Sequence, residues 1–218
     1  MKNRWMLAIV ALLLCVMMIP AMAEEAAEEI KYEVKVLQNF DDFADTAAMN
    51  QAGWVAGNPG PDGTGAVIEL IDTADYVEGG KGVKFAFIPE KADWWSPSLR
   101  CNVPFAVEGD GITFWFKSDV PMQMRVEFHS IDYMYQCYWD ILPADMQAGL
   151  HQYYLKWDDC VIKEAGIEIP KGEIVFKDEI SSIAVLLFYG YGPDSLWQGG
   201  WQGECYIDGI SYFATEPF

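Results

Sequence analysis

The run Met122 to His129 alternates strictly between apolar and polar residues. The apolar set is Met122, Met124, Val126 and Phe128, and the polar set is Gln123, Arg125, Glu127 and His129. Because successive side chains of a strand point to opposite faces, the run predicts a strand that buries one side and offers hydrogen-bonding groups on the other. A solvated antiparallel sheet also has a polar side, so both a binding surface and a plain solvated face fit this pattern.

Short runs rich in Val, Ile, Phe, Tyr and Trp recur between Gly, Pro and Asp turns, which is typical of an all-β sandwich or barrel. The expected strands are Ala66 to Ile71, Gly82 to Ile88, Ser98 to Val103, Gly111 to Lys117, Pro121 to His129, Tyr133 to Ile141, His151 to Trp157, Ser181 to Tyr189 and Glu204 to Phe213. The run Ile183 to Phe188 is apolar on both sides and predicts a central strand. The sequence therefore predicts two antiparallel sheets that pack their apolar faces together as a sandwich.

The N-terminus has the three parts of a secretory signal peptide: the basic Lys2 and Arg4, an apolar run from Met6 to Ile19, and small residues ending at Ala23. The apolar run is shorter than the roughly 20 residues that span a bilayer. We therefore expect a signal peptide over residues 1–23, an acidic disordered leader over 24–36 and one β-sandwich domain over 37–214. This predicts a secreted monomer that has no membrane association after cleavage.

The formal net charge of −19 disfavours nucleic acid and anionic lipid as partners. Four cysteines follow the predicted cleavage site, namely Cys101, Cys137, Cys160 and Cys205. They allow two disulfides in any of three connectivities, or four reduced core residues. No two of them form a Cys-x-x-Cys pair, which disfavours a zinc site.

A series of motifs follows in order along the chain. They are Asn39 to Phe43 with Trp54, Gly79 to Gly82, Asp93 to Trp95, Gly111 to Ser118, Tyr154 to Asp159, Ile180 to Ile183 and Tyr206 to Ile210. Taken together, the motifs resemble the carbohydrate-binding modules of jelly-roll, galactose-binding-like fold, and most of all the family 11 modules that bind β-glucans. The resemblance covers Phe40 to Phe213, which is nearly all of the expected mature chain.

The resemblance implies a concave sheet face that holds a glycan. A pyranose has an apolar C–H face that packs on an aromatic ring and a rim of hydroxyls that needs directed polar partners. Carried over to this chain, the ligand-binding residues are Trp94, Arg125, Glu127, His129, Gln136, Tyr138 and Asp140. The two strands that bear most of them would be joined by Ser130 to Asp132, so their polar faces should be continuous. A second aromatic group is expected beside the Gly-rich loop 190–203, at Tyr189, Tyr191, Trp197 and Trp201, whereas Trp95, Trp115, Trp139 and Trp157 are expected in the core or at its edges.

The resemblance also implies a structural calcium ion that ties the first and last strands together, because Ca²⁺ takes carboxylate and carbonyl oxygens. Asp41 and Asp208 occupy the matching positions, with Asp42 and the carbonyl of Lys81 as further ligands. The alternative is that Asp41 and Asp42 form a solvated turn.

The expected function is that of a secreted, non-catalytic protein that recognises a plant-type polysaccharide such as a β-glucan. One alternative is a glycoside hydrolase or lyase that uses Glu127 and Asp140, which could face each other on neighbouring strands. The other is a structural or adhesion domain that binds protein. Catalytic signatures such as Gly-x-Ser-x-Gly and His-Glu-x-x-His are absent from the sequence, which contains two histidines.

Overall fold

Strands make up most of the described chain, which in this computed structural model comprises residues 31–72, 80–92, 97–118, 123–141, 149–170 and 203–218, together with the backbone of 182–188. The first strands are β1 (Glu33–Gln38), β2 (Trp54–Gly57), β3 (Ala66–Asp72), β4 (Lys81–Phe87), β5 (Ser98–Cys101), β6 (Gly111–Ser118) and β7 (Gln123–His129). They are followed by β8 (Tyr135–Ile141), β9 (Gly149–Lys156), β10 (Val161–Glu164), β11 (Ile167–Ile169), β12 (Ser182–Phe188) and β13 (Gly203–Ala214). A short helix, α1 (Thr46–Gln51), begins at Asp45, whose side chain accepts a hydrogen bond from the amide of Ala48.

The strands form two sheets, and every strand pairing in the described ranges is antiparallel. Sheet 1 has the order β3-β4-β13-β6-β9, with β1 also paired to β13. Sheet 2 has the order β11-β10-β8-β7-β12-β5-β2. The predicted all-β sandwich of two antiparallel sheets is therefore confirmed, and β12 occupies the central position that its apolar sequence predicts.

Strand β13 organises sheet 1 because it pairs along both of its edges. One edge pairs with β6, while the other pairs first with β4, over residues 203–207, and then with β1, over residues 210–214. The register with β6 shifts between Asp208 and Ser211. Gly209 lies in this bulge with a φ of +57°, and a Cβ there would meet the Trp115 ring at 3.2 Å. Glycine fits because it adopts this backbone conformation without steric cost.

The core lies between the inner faces of the two sheets. From sheet 1 it receives Val83, Phe85, Phe87, Ile112, Phe114 and Phe116, and from sheet 2 it receives Leu99, Met124, Val126, Phe128, Cys137 and Trp139. These residues alternate with outward-facing ones, as the sequence pattern predicts. Trp139 and Trp157 are buried, and their indole N–H groups donate to the carbonyls of Lys156 and Glu108 at 2.8 and 3.0 Å. Both are core residues, as expected, whereas Trp115 is half-buried on the outer face of sheet 1.

Several element boundaries differ from the sequence prediction. Residues 33–36 were assigned to a disordered leader, but they lie in β1 and pair with β13. The prediction failed because an edge strand needs only backbone pairing and a few apolar contacts, not a long apolar run. Strands β2, β10 and β11, each of three or four residues, were also missed. The predicted signal peptide and the rest of the leader up to residue 30 lie outside the described residues and stay predictions.

The four cysteines are buried and reduced, which is one of the two alternatives that the sequence left open. The Cys137 thiol is hydrogen-bonded to that of Cys160, and burial raises the pKa of Cys137. Burial also raises the pKa of Cys205. All four therefore behave as small core residues with unreactive thiols.

Candidate functional site

The polar residues predicted on β7 and β8 lie opposite one another on the outer face of sheet 2. Arg125 pairs with Asp140, Glu127 with Tyr138, and His129 with Gln136. Opposite residues of an antiparallel pair project to the same face, so these six side chains, hereafter the polar cluster, form one continuous surface. Their role in ligand binding stays a prediction.

Arg125 is fixed by two carboxylates of the polar cluster. Its Nε and Nη2 atoms donate to Oδ1 and Oδ2 of Asp140 at 2.6 and 2.8 Å, which is the two-pronged geometry that favours an arginine over a lysine. Nη1 also lies 3.8 Å from Oε1 of Glu127. Burial lowers the pKa of Arg125, but the hydrogen bonds with Asp140 and the charges of both carboxylates outweigh that effect and raise it overall. The guanidinium is a permanent charge with little freedom to move.

Glu127 is the most deeply placed charge of the cluster, since its side chain is only 4% exposed. Its Oε2 atom accepts a hydrogen bond from Nε2 of Gln136 at 2.6 Å and lies 3.0 Å from Nε2 of His129. A buried carboxylate is tolerated only when such partners replace its water. The arrangement differs from an exposed ion pair, because three polar side chains converge on one group that is shielded from solvent.

Tyr138, which the sequence analysis placed among the ligand-binding residues, has a ring that is largely shielded from solvent, and its role in binding stays a prediction. The ring is 7% exposed, and the guanidinium carbon of Arg125 lies 3.9 Å from its centroid. The Nζ atom of Lys163 lies 5.0 Å from the same centroid. These are cation–π contacts, which hold the ring in place and occupy its π surface. Tyr138 therefore supports the charged groups of the cluster rather than presenting a bare ring.

Lys163 extends the polar surface onto β10, where the sequence predicted no strand. It pairs with Gln136 on one side and with Glu168 of β11 on the other. The hairpin turn between β10 and β11 is made by Ala165 and Gly166, both at positive φ. The signal that could have revealed this hairpin is the small Ala165-Gly166 pair between two short runs that contain β-branched residues, Val161-Ile162 and Ile167 to Ile169.

Tyr133, which sequence reasoning did not include among the candidate site residues, lies at the turn between β7 and β8. Sequence reasoning placed it at the start of a strand, but β8 begins at Tyr135. The ring of Tyr133 contacts that of His129, with centroids 5.5 Å apart, and Tyr133 is 67% exposed. An exposed ring thus adjoins the end of the polar cluster.

No family model matches the sequence, and no curated protein matches it. Solved structures do match. The family 11 carbohydrate-binding module of the cellulosomal cellulase Lic26A-Cel5E of Clostridium thermocellum has a TM-score of 0.51 at 13% identity, over 84% of this chain and 94% of the module. A family 11 module from the same organism, in complex with a β-1,3-1,4-mixed-linked tetrasaccharide, has a TM-score of 0.51 at 14% identity, over 83% of this chain and 95% of the module.

The chain has the β-sandwich fold of these carbohydrate-binding modules. An exo-β-agarase shares the fold too, with a TM-score of 0.51 at 12% identity over 84% of this chain but only 25% of the agarase chain. At such identities the likeness concerns architecture alone. At the level of the fold, it confirms the resemblance drawn from the sequence motifs.

Two of the carboxylates predicted to bind calcium, those of Asp41 and Asp208, accept hydrogen bonds from backbone amides. The Oδ1 atom of Asp41 accepts hydrogen bonds from the amides of Gly80 and Lys81, both at 2.9 Å. Asp208 is buried and accepts from the amide of Gly209 at 2.6 Å, while Asp42 is exposed in a turn. Within the described ranges, no group of three or more His, Cys, Asp or Glu side chains is placed to hold a metal ion. The described carboxylates therefore do not form the cluster that calcium prefers, and the ion stays a prediction.

Four predicted ligand residues lie outside the described residues, namely Trp94 and the secondary group Tyr191, Trp197 and Trp201. The same holds for Trp95 and Tyr189. Among the helices in the described ranges, none has the length and apolar character needed to cross a membrane.

Proposed function

We propose that the protein is a non-catalytic carbohydrate-binding protein that recognises a plant-type polysaccharide, such as a β-glucan, through the outer face of sheet 2. The polar cluster carries the proposal, because it combines fixed donors and acceptors with a shielded carboxylate at its centre. Such a set of directed groups suits the hydroxyl rim of a sugar. The fold adds support, since it is one that carbohydrate-binding modules share.

The electrostatics favour an uncharged ligand. Arg125 is matched by Asp140 and Glu127 within the cluster, so little charge is left over to attract an anion. The chain as a whole carries a formal charge of −19, which repels nucleic acid and acidic glycans. Affinity for a neutral oligosaccharide should be on the order of micromolar to millimolar, because each hydrogen bond competes with water.

The geometry also supports a binding role over hydrolysis. A glycosidase needs its two carboxyl groups on either side of the scissile bond, with room for the bond between them. Here the guanidinium of Arg125 bonds to Asp140 and lies 3.8 Å from Glu127. It takes the space between the two carboxylates that a glycosidic bond would need.

One observation favours the adhesion alternative, in which the protein binds another protein. Ile131, Tyr133, Met134 and Ile167 are all exposed, and they belong to two hairpin ends that are joined by a hydrogen bond from the amide of Ala165 to the carbonyl of Met134, 2.7 Å long. Exposed apolar side chains grouped in this way are common at protein contacts. They are equally able to pack on the apolar face of a sugar.

We place the protein outside the cell, on the strength of the predicted signal peptide. N-terminal sequencing of the protein recovered from the culture medium should begin at Glu24. Intact Met1 on cell-associated protein would contradict this location.

A glycan array followed by calorimetric titration tests the function. We expect binding to β-glucan or xylan oligosaccharides, an affinity reduced at least 10-fold by Arg125→Ala, and no change on Lys84→Ala, which removes a cation from the other sheet. Long incubation should release no reducing ends. Release that is abolished by Glu127→Gln would show an enzyme, and failure to bind any glycan would favour adhesion.

A further inference from the structure

Tyr133 has a backbone conformation that a bulky residue rarely adopts. Its φ is +58°, in the left-handed region where the Cβ atom crowds the following carbonyl. The conformation costs free energy, so the surrounding structure must enforce it. An exposed tyrosine at such a position invites a functional explanation.

Two side chains of the turn enforce this conformation. The hydroxyl of Ser130 donates to Oδ1 of Asp132 at 2.6 Å and accepts from the amide of Tyr135 at 3.0 Å. The same Oδ1 atom accepts from the amide of Met134 at 3.0 Å, and the amide of Tyr133 donates to the Ser130 carbonyl at 2.9 Å. The hydrogen bond from Ser130, followed by that from Met134, lowers the pKa of Asp132. The turn is thus closed on both sides of Tyr133, which fixes the direction in which its side chain leaves the backbone.

The ring continues the polar cluster beyond its end. His129 and Gln136 form the last cross-strand pair before the turn, and the Tyr133 ring lies against the His129 ring. From the Arg125–Asp140 pair to the His129–Gln136 pair the face covers four residues of strand, or roughly 13 Å. This length exceeds one sugar ring, so a chain lying along the hairpin would meet the tyrosine after passing the polar groups.

The ring of Tyr133 is open to solvent, whereas that of Tyr138 is not. Tyr138 lies under Arg125 and is almost fully buried, whereas Tyr133 is 67% exposed. An open ring is the surface on which the C–H face of a pyranose packs. The hydroxyls at the rim of the same sugar would then be near the imidazole of His129 and the amide of Gln136.

We propose that Tyr133 is a sugar-stacking residue, a binding subsite at the hairpin end of the polar cluster. The proposal rests on the proposed carbohydrate-binding function and adds to it a ligand of at least two sugar units that extends along β7 and β8 to the turn. The fixed turn reduces the ordering that binding would otherwise require, which favours a rigid platform over a flexible loop.

The positive φ permits a sharp experiment with Tyr133→Gly. Glycine adopts this conformation freely, so the variant should keep or raise the melting temperature while it removes the ring. We expect its affinity for a mixed-linkage β-1,3-1,4 tetrasaccharide to fall about 5- to 10-fold. Tyr133→Phe keeps the ring and should bind within about twofold of the unmodified protein.

Tyr154→Ala is the matched control, because it removes an exposed tyrosine from the outer face of sheet 1. Its affinity should equal that of the unmodified protein. If Tyr133→Gly binds the tetrasaccharide as tightly as the unmodified protein does, the subsite is wrong although the carbohydrate-binding function stands. If the unmodified protein binds neither this tetrasaccharide nor a xylan tetrasaccharide, the proposed function itself fails.

Discussion

The two outer faces of the sandwich carry similar residue types but use them differently. On sheet 1, Lys84 lies 2.7 Å from Glu69 and 3.9 Å from Glu204, and both glutamates are about half exposed. On sheet 2, Arg125 joins Glu127 and Asp140 with side chains that are 15%, 4% and 30% exposed. The same pairing of opposite charges across strands is thus solvated on one face and shielded on the other.

The two faces differ in how burial acts on their charged groups. The hydrogen bond with Glu69 is the largest influence on the pKa of Lys84 and raises it, against a smaller opposing effect of burial. For Arg125, burial lowers the pKa, and the hydrogen bonds with Asp140 together with the charges of Asp140 and Glu127 outweigh that effect. A solvated pair contributes little to stability, whereas a shielded network is costly unless every member is satisfied. The polar cluster is therefore a shielded network whose charged members depend on one another.

The two faces should differ most in the stability lost when their cations, Arg125 and Lys84, are removed. Arg125→Ala leaves Glu127 shielded without its guanidinium and Tyr138 without its stacked partner. We expect the free energy of unfolding to fall by about 2–4 kcal/mol in urea titrations. Lys84→Ala should lower it by less than about 1 kcal/mol. Equal losses in the two variants would mean that the faces do not differ in kind.

Added salt should distinguish the ion pairs of the two faces. Double-mutant cycles should give a coupling of about 1–2 kcal/mol for Arg125 with Asp140 and about 0.5 kcal/mol for Lys84 with Glu69. Raising NaCl from about 0.05 M to about 1 M screens exposed charges far more than shielded ones. The coupling of Lys84 should then vanish while most of that of Arg125 remains. A coupling of Arg125 that disappears in salt would identify a solvated pair.

The ends of the two sheets respond to acid in different ways. On sheet 2, Asp132 closes the turn between β7 and β8. On sheet 1, Asp110 accepts hydrogen bonds from the hydroxyl and the amide of Thr215. The hydrogen bonds at these two sites lower the pKa of each carboxyl group from 3.8. A carboxyl group whose pKa is lower in the folded state than in the unfolded state stabilises the folded state at pH values above its unfolded pKa. This stabilisation is lost as the pH falls through the folded pKa.

Acidification below about pH 4 should therefore weaken both ends, but only Asp132 should affect saccharide affinity. Asp132→Asn keeps an oxygen acceptor and does not titrate, so the ratio of its affinity to that of the unmodified protein should rise up to about threefold between about pH 6 and about pH 3. Asp110→Asn should leave this ratio flat. An unchanging ratio for Asp132→Asn would separate the turn from binding.

Calcium removal should have the smallest effect. The Oδ1 atoms of Asp41 and Asp208 already accept backbone hydrogen bonds, which would compete with an ion for these oxygens. We expect a chelator to change the melting temperature by less than about 2 °C. A larger drop, reversed by Ca²⁺ and reduced by Asp208→Asn, would establish the predicted metal site on the sheet 1 side.

The sequence predicted the strands with clear alternation, because period-two patterning reports which side chains are buried. It missed β1, since the valines at positions 34 and 36 alternate with charged residues beside an acidic stretch, and it missed β10 and β11 because each is too short to show a period. Burial of one face is a local property of a strand. Edge pairing depends on a partner that is distant in sequence.

For the site, the sequence predicted the face but not the register. A turn of Ser130 to Asp132 would have paired His129 with Tyr133 and Arg125 with the inward-facing Cys137. The observed turn is longer, and His129 pairs with Gln136, which brings Arg125 opposite Asp140. This is a register shift of three residues. Because three is an odd number and side chains alternate between faces, the shift brings the polar residues of β8 opposite those of β7. The alternation could not reveal it, because the left-handed conformation of Tyr133 is enforced by Ser130 and Asp132 across the turn.

The pairing of β1 with the end of β13 has a mechanical consequence. Glu33 lies opposite Ala214, so the two ends of the folded domain leave the sandwich at the same corner. Tension applied through both ends pulls on this pair from its outermost hydrogen bond, and the bonds break one after another rather than all together. A domain pulled in this way unfolds sequentially, beginning with β1, the strand that the sequence pattern did not predict.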